Sequence, residues 1–239
     1  EEHTVRDVRG LEGADFPYTL TIRPNRPDFQ VVLTPPKPPI QPGGAQEFIL
    51  KAKRIDGFDG PIRVDLDGLP PGFSATTPIV IEEGQIEALG VVCAGPDAKP
   101  PSPEHAKAVK VEASAVIDGR ERSRSVKGLG ALKLADKPQL SLAIQPSEGG
   151  AKPLTESADG PLEFEIHRGQ TIELKVALQR NGHVGPVPLG NEGSGRNLPH
   201  GVYVDNIGLN GLLITESQNE RAFFVTADQT AAPQTRSFH

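Results

Sequence analysis

The stretch RIDGFDGPIRVDLDGLPPGF, Arg54 to Phe73, sets turn-formers on both sides of one short run, Ile62 to Leu66, that alternates like a strand. Gly57, Gly60 and Pro61 lead into that run: glycine tolerates positive φ, and proline fixes φ at a strand's first residue, where no ladder donor is lost. Leu69-Pro70-Pro71-Gly72 then closes it. Consecutive prolines donate nothing to a ladder and favour polyproline II, so the chain must leave the sheet and cross toward the next strand. The stretch is a corner between strands, and its chemistry is that of turns.

The corner occurs twice. Arg54-Ile55-Asp56-Gly57 with Gly60-Pro61 returns as Arg180-Asn181-Gly182 with Gly185-Pro186, and Leu69-Pro70-Pro71-Gly72-Phe73 returns as Leu198-Pro199-His200-Gly201-Val202. Ile79 to Val92 lies over Leu212 to Val225 at a constant offset of 133, while Phe48 and Leu50 match Leu174 and Val176 at 126. The offset grows by seven between those points, as loop insertions in the second copy would make it, the largest around Gly190 to Asn197. Matched strands with insertions in the loops are the mark of a duplicated domain.

Within each copy the pattern is all-β. Expected strands in the first are Asp28 to Thr34, Glu47 to Lys53, Pro61 to Leu66, Phe73 to Thr76, Ile79 to Ile81, Ile86 to Cys93 and Ala106 to Ile117. In the second they are Gln139 to Ile144, Pro161 to Ile166, Thr171 to Leu178, Gly201 to Val204, Leu212 to Ile214 and Arg221 to Ala227. Apolar and polar residues alternate in several, the period of one buried and one wet face. This density of short strands predicts immunoglobulin-like β-sandwiches at 27–118 and 138–239. A basic linker over 119–137, containing Arg120, Arg122, Arg124, Lys127, Lys133 and Lys137, is expected to pack against both. The partner of Ala106 to Ile117 would begin near Thr235, so the second sandwich is expected to be cut inside its last strand at His239, with an unpaired edge.

Composition agrees and narrows the role. In 239 residues there are 24 prolines and 26 glycines, with Val, Ile, Leu and Phe recurring in short bursts, which suits many turns and strands and argues against disorder. The formal charge of −6 offers no basic footprint for nucleic acid. No run of about 18 apolar residues supports membrane insertion. The chain starts Glu1-Glu2-His3 and contains no Met, which reads as a piece of a longer polypeptide. Cys93 is alone, so no internal disulfide forms, and its apolar neighbours place it in the core.

The strand, the DGFDGPI turn, the next strand, LPPGF and the following apolar-Glu-Gly-Gln run together resemble the Ig-like repeats that follow a pre-peptidase C-terminal domain in large secreted or envelope proteins of bacteria. VRDVRGLEGADFPYTLTIRPNRPDF, Val5 to Phe29, looks like the closing strands of such a domain, so 1–26 would be its remnant, with Tyr18 to Arg23 as the last strand. The resemblance implies an extracytoplasmic parent of several domains, periplasmic, surface-bound or secreted, in which these modules space neighbouring domains or dock to other envelope proteins. It brings no catalytic residues.

Chemistry outside the turns is sparse. Asp56, Asp59, Asp65 and Asp67 are the weak candidates for a Ca²⁺ site, although their spacing lacks the D-x-[DN]-x-[DN]-G loop, and Asp65 and Asp67 share the solvated face of a strand. The histidines, His3, His105, His167, His183, His200 and His239, have no metal-ligand or triad spacing and are expected in solvent. Ser194 in Gly193-Ser194-Gly195 lacks the nucleophile-elbow spacing, and the same run beside Arg196 could at most cradle an anion. Glycan platforms need exposed aromatic faces, and the chain has no Trp and only Tyr18 and Tyr203. The expectation is therefore a module that is not an enzyme and carries no cofactor, with binding of glycan or Ca²⁺ through the loops as the alternative.

Overall fold

The computed structural model describes residues 8–9, 22–135, 139–154, 162–189, 195–205 and 212–239. The strands expected within 1–26, and with them Tyr18, lie outside the described residues or in irregular chain. The described chain is nearly all-β and antiparallel. Its first part contains β1 (Asp28–Thr34), β2 (Ala45–Ile55), β3 (Ile62–Asp67), β4 (Phe73–Ala75), β5 (Ile79–Ile81), β6 (Glu87–Ala94), the helix α1 (Pro103–Ala108), β7 (Lys110–Ile117) and β8 (Arg120–Val126). Two four-stranded sheets form, in the orders β1-β2-β6-β4 and β5-β3-β7-β8.

The sheets face each other across one core. Ile62, Val64 and Leu66 of β3 point in while Arg63 and Asp67 stay exposed, the alternation visible in the sequence. Phe29, Phe48, Leu50, Val92, Ile79 and Ile81 meet them, and none of these six is measurably exposed. On β7, Val111, Ala113, Ala115 and Ile117 complete the layer. The chain leaves the sheet of β3 at the LPPGF corner, joins the other sheet as β4, and crosses back between β4 and β5.

The basic stretch expected as a linker is instead β8, paired along its length with β7 from Val111↔Val126 to Ile117↔Arg120. Asp118 and Gly119 join the two strands with φ of 50° and 73°, the positive pair that a two-residue hairpin demands. RERSRSV carries few apolar residues because β8 is an edge strand, and alternating charge is how exposed edges avoid further pairing. Leu129 and Leu132 follow it into the first core, so this segment packs with the first unit. The strand expected from Ala106 starts at Lys110, because Ser102 caps a helix turn: its Oγ accepts from His105 N (3.4 Å), its N donates to His105 Nδ1 (3.2 Å), and Pro103 opens α1.

The second part repeats the first six strands in order: β9 (Leu140–Pro146), β10 (Thr171–Arg180), β11 (Val187–Leu189), β12 (Val202–Asp205), β13 (Leu212–Ile214) and β14 (Glu220–Ala227). They pair as β12-β14-β10-β9 and β11-β13, the arrangement of β4-β6-β2-β1 and β3-β5. The turns repeat as well. Gly43 N donates to Ala94 O at 2.8 Å, and Gly169 N to Ala227 O at 2.7 Å. Gly95 N donates to Gly72 O at 2.8 Å, and Asp228 N to Gly201 O at 2.7 Å.

Two expectations for this part fail. Residues 162–166 form no strand despite the alternation of Leu162, Phe164 and Ile166. They match the segment around Ile40, which in the first unit is held by a parallel bridge to Leu134, and no such bridge is present at Ile166 among the described residues. Residues 228–239 also form no strand, because they match the connection that leads to α1 and not the strand that follows it.

Candidate functional site

The repeated corner is built around an arginine. Arg54, near the end of β2, donates from Nη1 to Gly60 O (2.6 Å), from Nη2 to Glu82 O (2.7 Å) and from Nε to Gln85 O (2.9 Å). Its guanidinium lies 5.6 Å from the centre of the Phe58 ring. Arg180 does the same in the second unit, reaching Gly185 O (2.6 Å), Thr215 O (2.8 Å) and Gln218 O (3.2 Å), with Nε on Asn219 Oδ1 (3.2 Å). A planar fork with donors on three separate nitrogens ties the glycine-proline turn to the turn after the fifth strand, a span that a lysine's single nitrogen does not offer. The sequence pairs Arg54 with Arg180, yet it gives no hint that both are clamps.

The four aspartates do not converge. Asp56, at φ 50°, accepts from both guanidinium nitrogens of Arg23, from Nη2 at 2.8 Å, and from Arg26 N at 2.9 Å. The Arg23 hydrogen bonds, followed by the Arg26 amide, push its carboxyl down to about 2. Asp59 sits 3.9 Å from Arg54 Nε and is well exposed. Asp65 is held by Arg63 through two bonds of 2.7 and 2.8 Å, and Asp67 lies exposed at the end of β3 opposite Lys110. Among the described residues no group of three or more His, Cys, Asp or Glu is arranged to hold a metal.

Cys93 is half-buried beside Ser74 and not in the core as expected; burial pushes its thiol up, away from the reactive thiolate. Gly193 and Ser194 lie outside the described residues. Arg196 N, in the same run, donates to His239 O at 2.9 Å, so that amide has a partner other than an anion. Phe29, Phe48, Phe58, Phe73 and Phe223 are all buried, and Tyr203 is exposed on β12.

A contact that no local pattern in the sequence signals joins the two units. Asn197, with φ 69°, donates from Nδ2 to Pro78 O (2.9 Å) and Ser237 O (2.7 Å) and accepts at Oδ1 from Val80 N (3.1 Å). Ser237 Oγ donates to Thr77 O (3.0 Å), and Arg236, almost wholly buried, pairs with Glu82 at 2.8 Å. His239, expected in solvent, is instead largely buried, with Nδ1 3.2 Å from Thr76 Oγ1 and Nε2 3.8 Å from Glu47. Burial first, and then the charge of Arg196, lowers it to about 4. His105 completes the capping box with Ser102 described above, and His167 and His200 are exposed as expected. The interface uses Asn197, at the end of an insertion loop, and the segment after β14, which matches the connection leading to α1 in the first copy.

No family model and no curated protein matches the chain. Among solved structures it is similar to a protein of unknown function from Porphyromonas gingivalis W83, at 13% identity over 84% of this chain and 83% of that one, with a TM-score of 0.27. It is also similar to domains 5–6 of the S-layer protein SbsC, at 14% identity over 86% of each chain, again with a TM-score of 0.27. At those scores neither likeness bears on what this chain does.

Proposed function

We propose that the chain is a non-catalytic module of a larger exported bacterial protein, spacing or docking neighbouring domains outside the cytoplasm. The observation that carries this reading is the contact between the units. Asn197 uses both ends of its amide on the first unit, at Pro78 O and Val80 N beside β5, and also holds Ser237 O of its own tail, which supports one defined register between the units. Side chain to backbone bonds of this kind favour one orientation over a flexible tether.

The repeated motif supports the same reading, since the polar groups of Arg54 and Arg180 are spent on holding their own corners. Export and the bacterial parent rest on the resemblance carried by DGFDGPI and LPPGF. No helix of the described residues is long and apolar enough to cross a membrane. Calorimetric titration of the intact chain with Ca²⁺ and with cell-wall glycans tests the proposal: a spacer gives no saturable heat, and a saturable isotherm with either would replace it by a ligand-binding role.

A further inference from the structure

Each unit presents the same row of three side chains on the outer face of its four-stranded sheet. In the first unit Val91 of β6 pairs with Glu47 of β2 on one side. On the other side stands Thr76, directly after β4: its N donates to Val91 O at 2.9 Å, and Val91 N donates to its Oγ1 at 3.3 Å. In the second unit the row is Glu173 of β10, Phe224 of β14 and Asp205 of β12, in the same register. The row faces away from the core, which Val92 joins and Val91 does not. Val91 is nevertheless only 6% exposed and Thr76 7%. Their cover is the tail of the second unit: His239 stands with Nδ1 3.2 Å from Thr76 Oγ1 and Nε2 3.8 Å from Glu47, so its ring spans Val91.

The equivalent place in the second unit is open and more strongly charged. Phe224 is part-exposed, and Tyr203, on the same face of β12, is 45% exposed. A carboxylate stands on either side of the Phe224 ring, each a cross-strand neighbour about 5 Å away. Glu173 accepts from Ser147 Oγ and Asp205 from Thr226 Oγ1, and neither has a cationic partner among the described residues. Lys175, the next outward residue of β10, pairs with Glu220 at 2.8 Å. We propose that this row is a socket for an arginine side chain presented by an extended polypeptide segment of a partner protein. The first unit shows the row holding a polypeptide segment, and the second unit departs from it in the two ways that select the residue. Phe224 replaces Val91, giving a ring face that attracts a cation, and Asp205 replaces Thr76, adding a second carboxylate to the glutamate kept at both places. A planar guanidinium stacks on the ring while separate nitrogens reach both carboxylates, a span that a lysine's single nitrogen does not offer. The inference deepens the docking role proposed above and rests on it.

The test titrates the full chain with the peptide of residues 234–239 carrying His239→Arg, following the Phe224 and Tyr203 ring signals by NMR. Saturable shifts at both rings are expected, with binding weakened about tenfold in the chain carrying Asp205→Asn and Glu173→Gln. Those amides keep an acceptor for Thr226 and Ser147, so the fold is retained. The peptide with His239→Gln shifts neither ring. The proposal is overturned if millimolar arginine peptide gives no saturable shift, or if the double variant or the glutamine peptide binds equally well. Shifts at Val91 alone, where the peptide competes with the chain's own tail, overturn it too. So does sedimentation showing peptide-free dimers that shield Phe224, which would make a second copy the occupant. The calorimetry with Ca²⁺ and glycans tests the docking role separately: no peptide binding with no saturable heat there rejects the socket alone.

Discussion

Replacing Arg54 by Ala removes the fork that joins the corner before β3 to the turn after β5. Hydrogen bonds from a charged group contribute about 1.5–3 kcal/mol each. The bonds to Gly60 O and Glu82 O are partly buried, whereas that to Gln85 O is exposed, so the first two dominate. Allowing for water reaching the freed carbonyls, the expected loss is about 3 kcal/mol. With a slope of about 2 kcal/mol per molar urea, the midpoint of the first unit falls by about 1.5 M, at unchanged slope. Urea unfolding followed through resolved amide resonances of each unit separates this from the second unit, whose midpoint stays put. Arg54→Lys recovers less than half, because a single nitrogen does not span the three carbonyls that Arg54 meets from three separate nitrogens. A shift below about 0.3 M for Arg54→Ala, or a lysine variant as stable as the parent, would refute the clamp.

Other outcomes follow from particular sites. A methyl on Gly90 would lie 2.4 Å from both Phe48 Cζ and Ile79 Cδ1, so Gly90→Ala overpacks the first core and costs about 1–3 kcal/mol in the same urea assay. Asp56 has a folded pKa of about 2, below that of the unfolded chain, so its stabilising effect is complete above the ordinary carboxylate range and lost as pH falls through about 2. Carboxyl carbon shifts should titrate there, and Arg23→Ala should return the midpoint toward the ordinary value. His239 is lowered to about 4, so the contact between the units is fully supported above its ordinary pKa of 6.5 and weakens as pH falls toward and through about 4. Arg196 favours the neutral ring and Glu47, 3.8 Å away, opposes it, so Glu47→Gln should lower the midpoint further in a histidine titration by NMR.

Much of the fold was legible because turn chemistry punctuates it. The alternation of Ile62, Val64 and Leu66 between Gly-Pro and Leu-Pro-Pro-Gly reports a strand with one buried face, and β3 has that face. The duplication was readable for the same reason, since φ-restricted residues persist where strands drift. β8 was missed because an edge strand is written in charges, although Asp118-Gly119 was a hairpin signal in plain view. The start of β7 was misplaced because Ser102-Pro103 was read without its capping role. The contact between units was out of reach: Asn197 works through a left-handed backbone and bonds to Pro78 O and Val80 N, far away in the sequence, and no local pattern encodes that.

On the proposed reading, the contact through Asn197 holds the two β-units in a single orientation. Lys53 and Gln179 occupy equivalent exposed places on β2 and β10. Spin labels at Lys53→Cys and Gln179→Cys, in a Cys93→Ser background, report the distance between units in the full chain by pulsed electron resonance. A single narrow distribution is predicted, broadening when Asn197→Ala is added. A broad distribution in the chain with Asn197 intact would contradict the account.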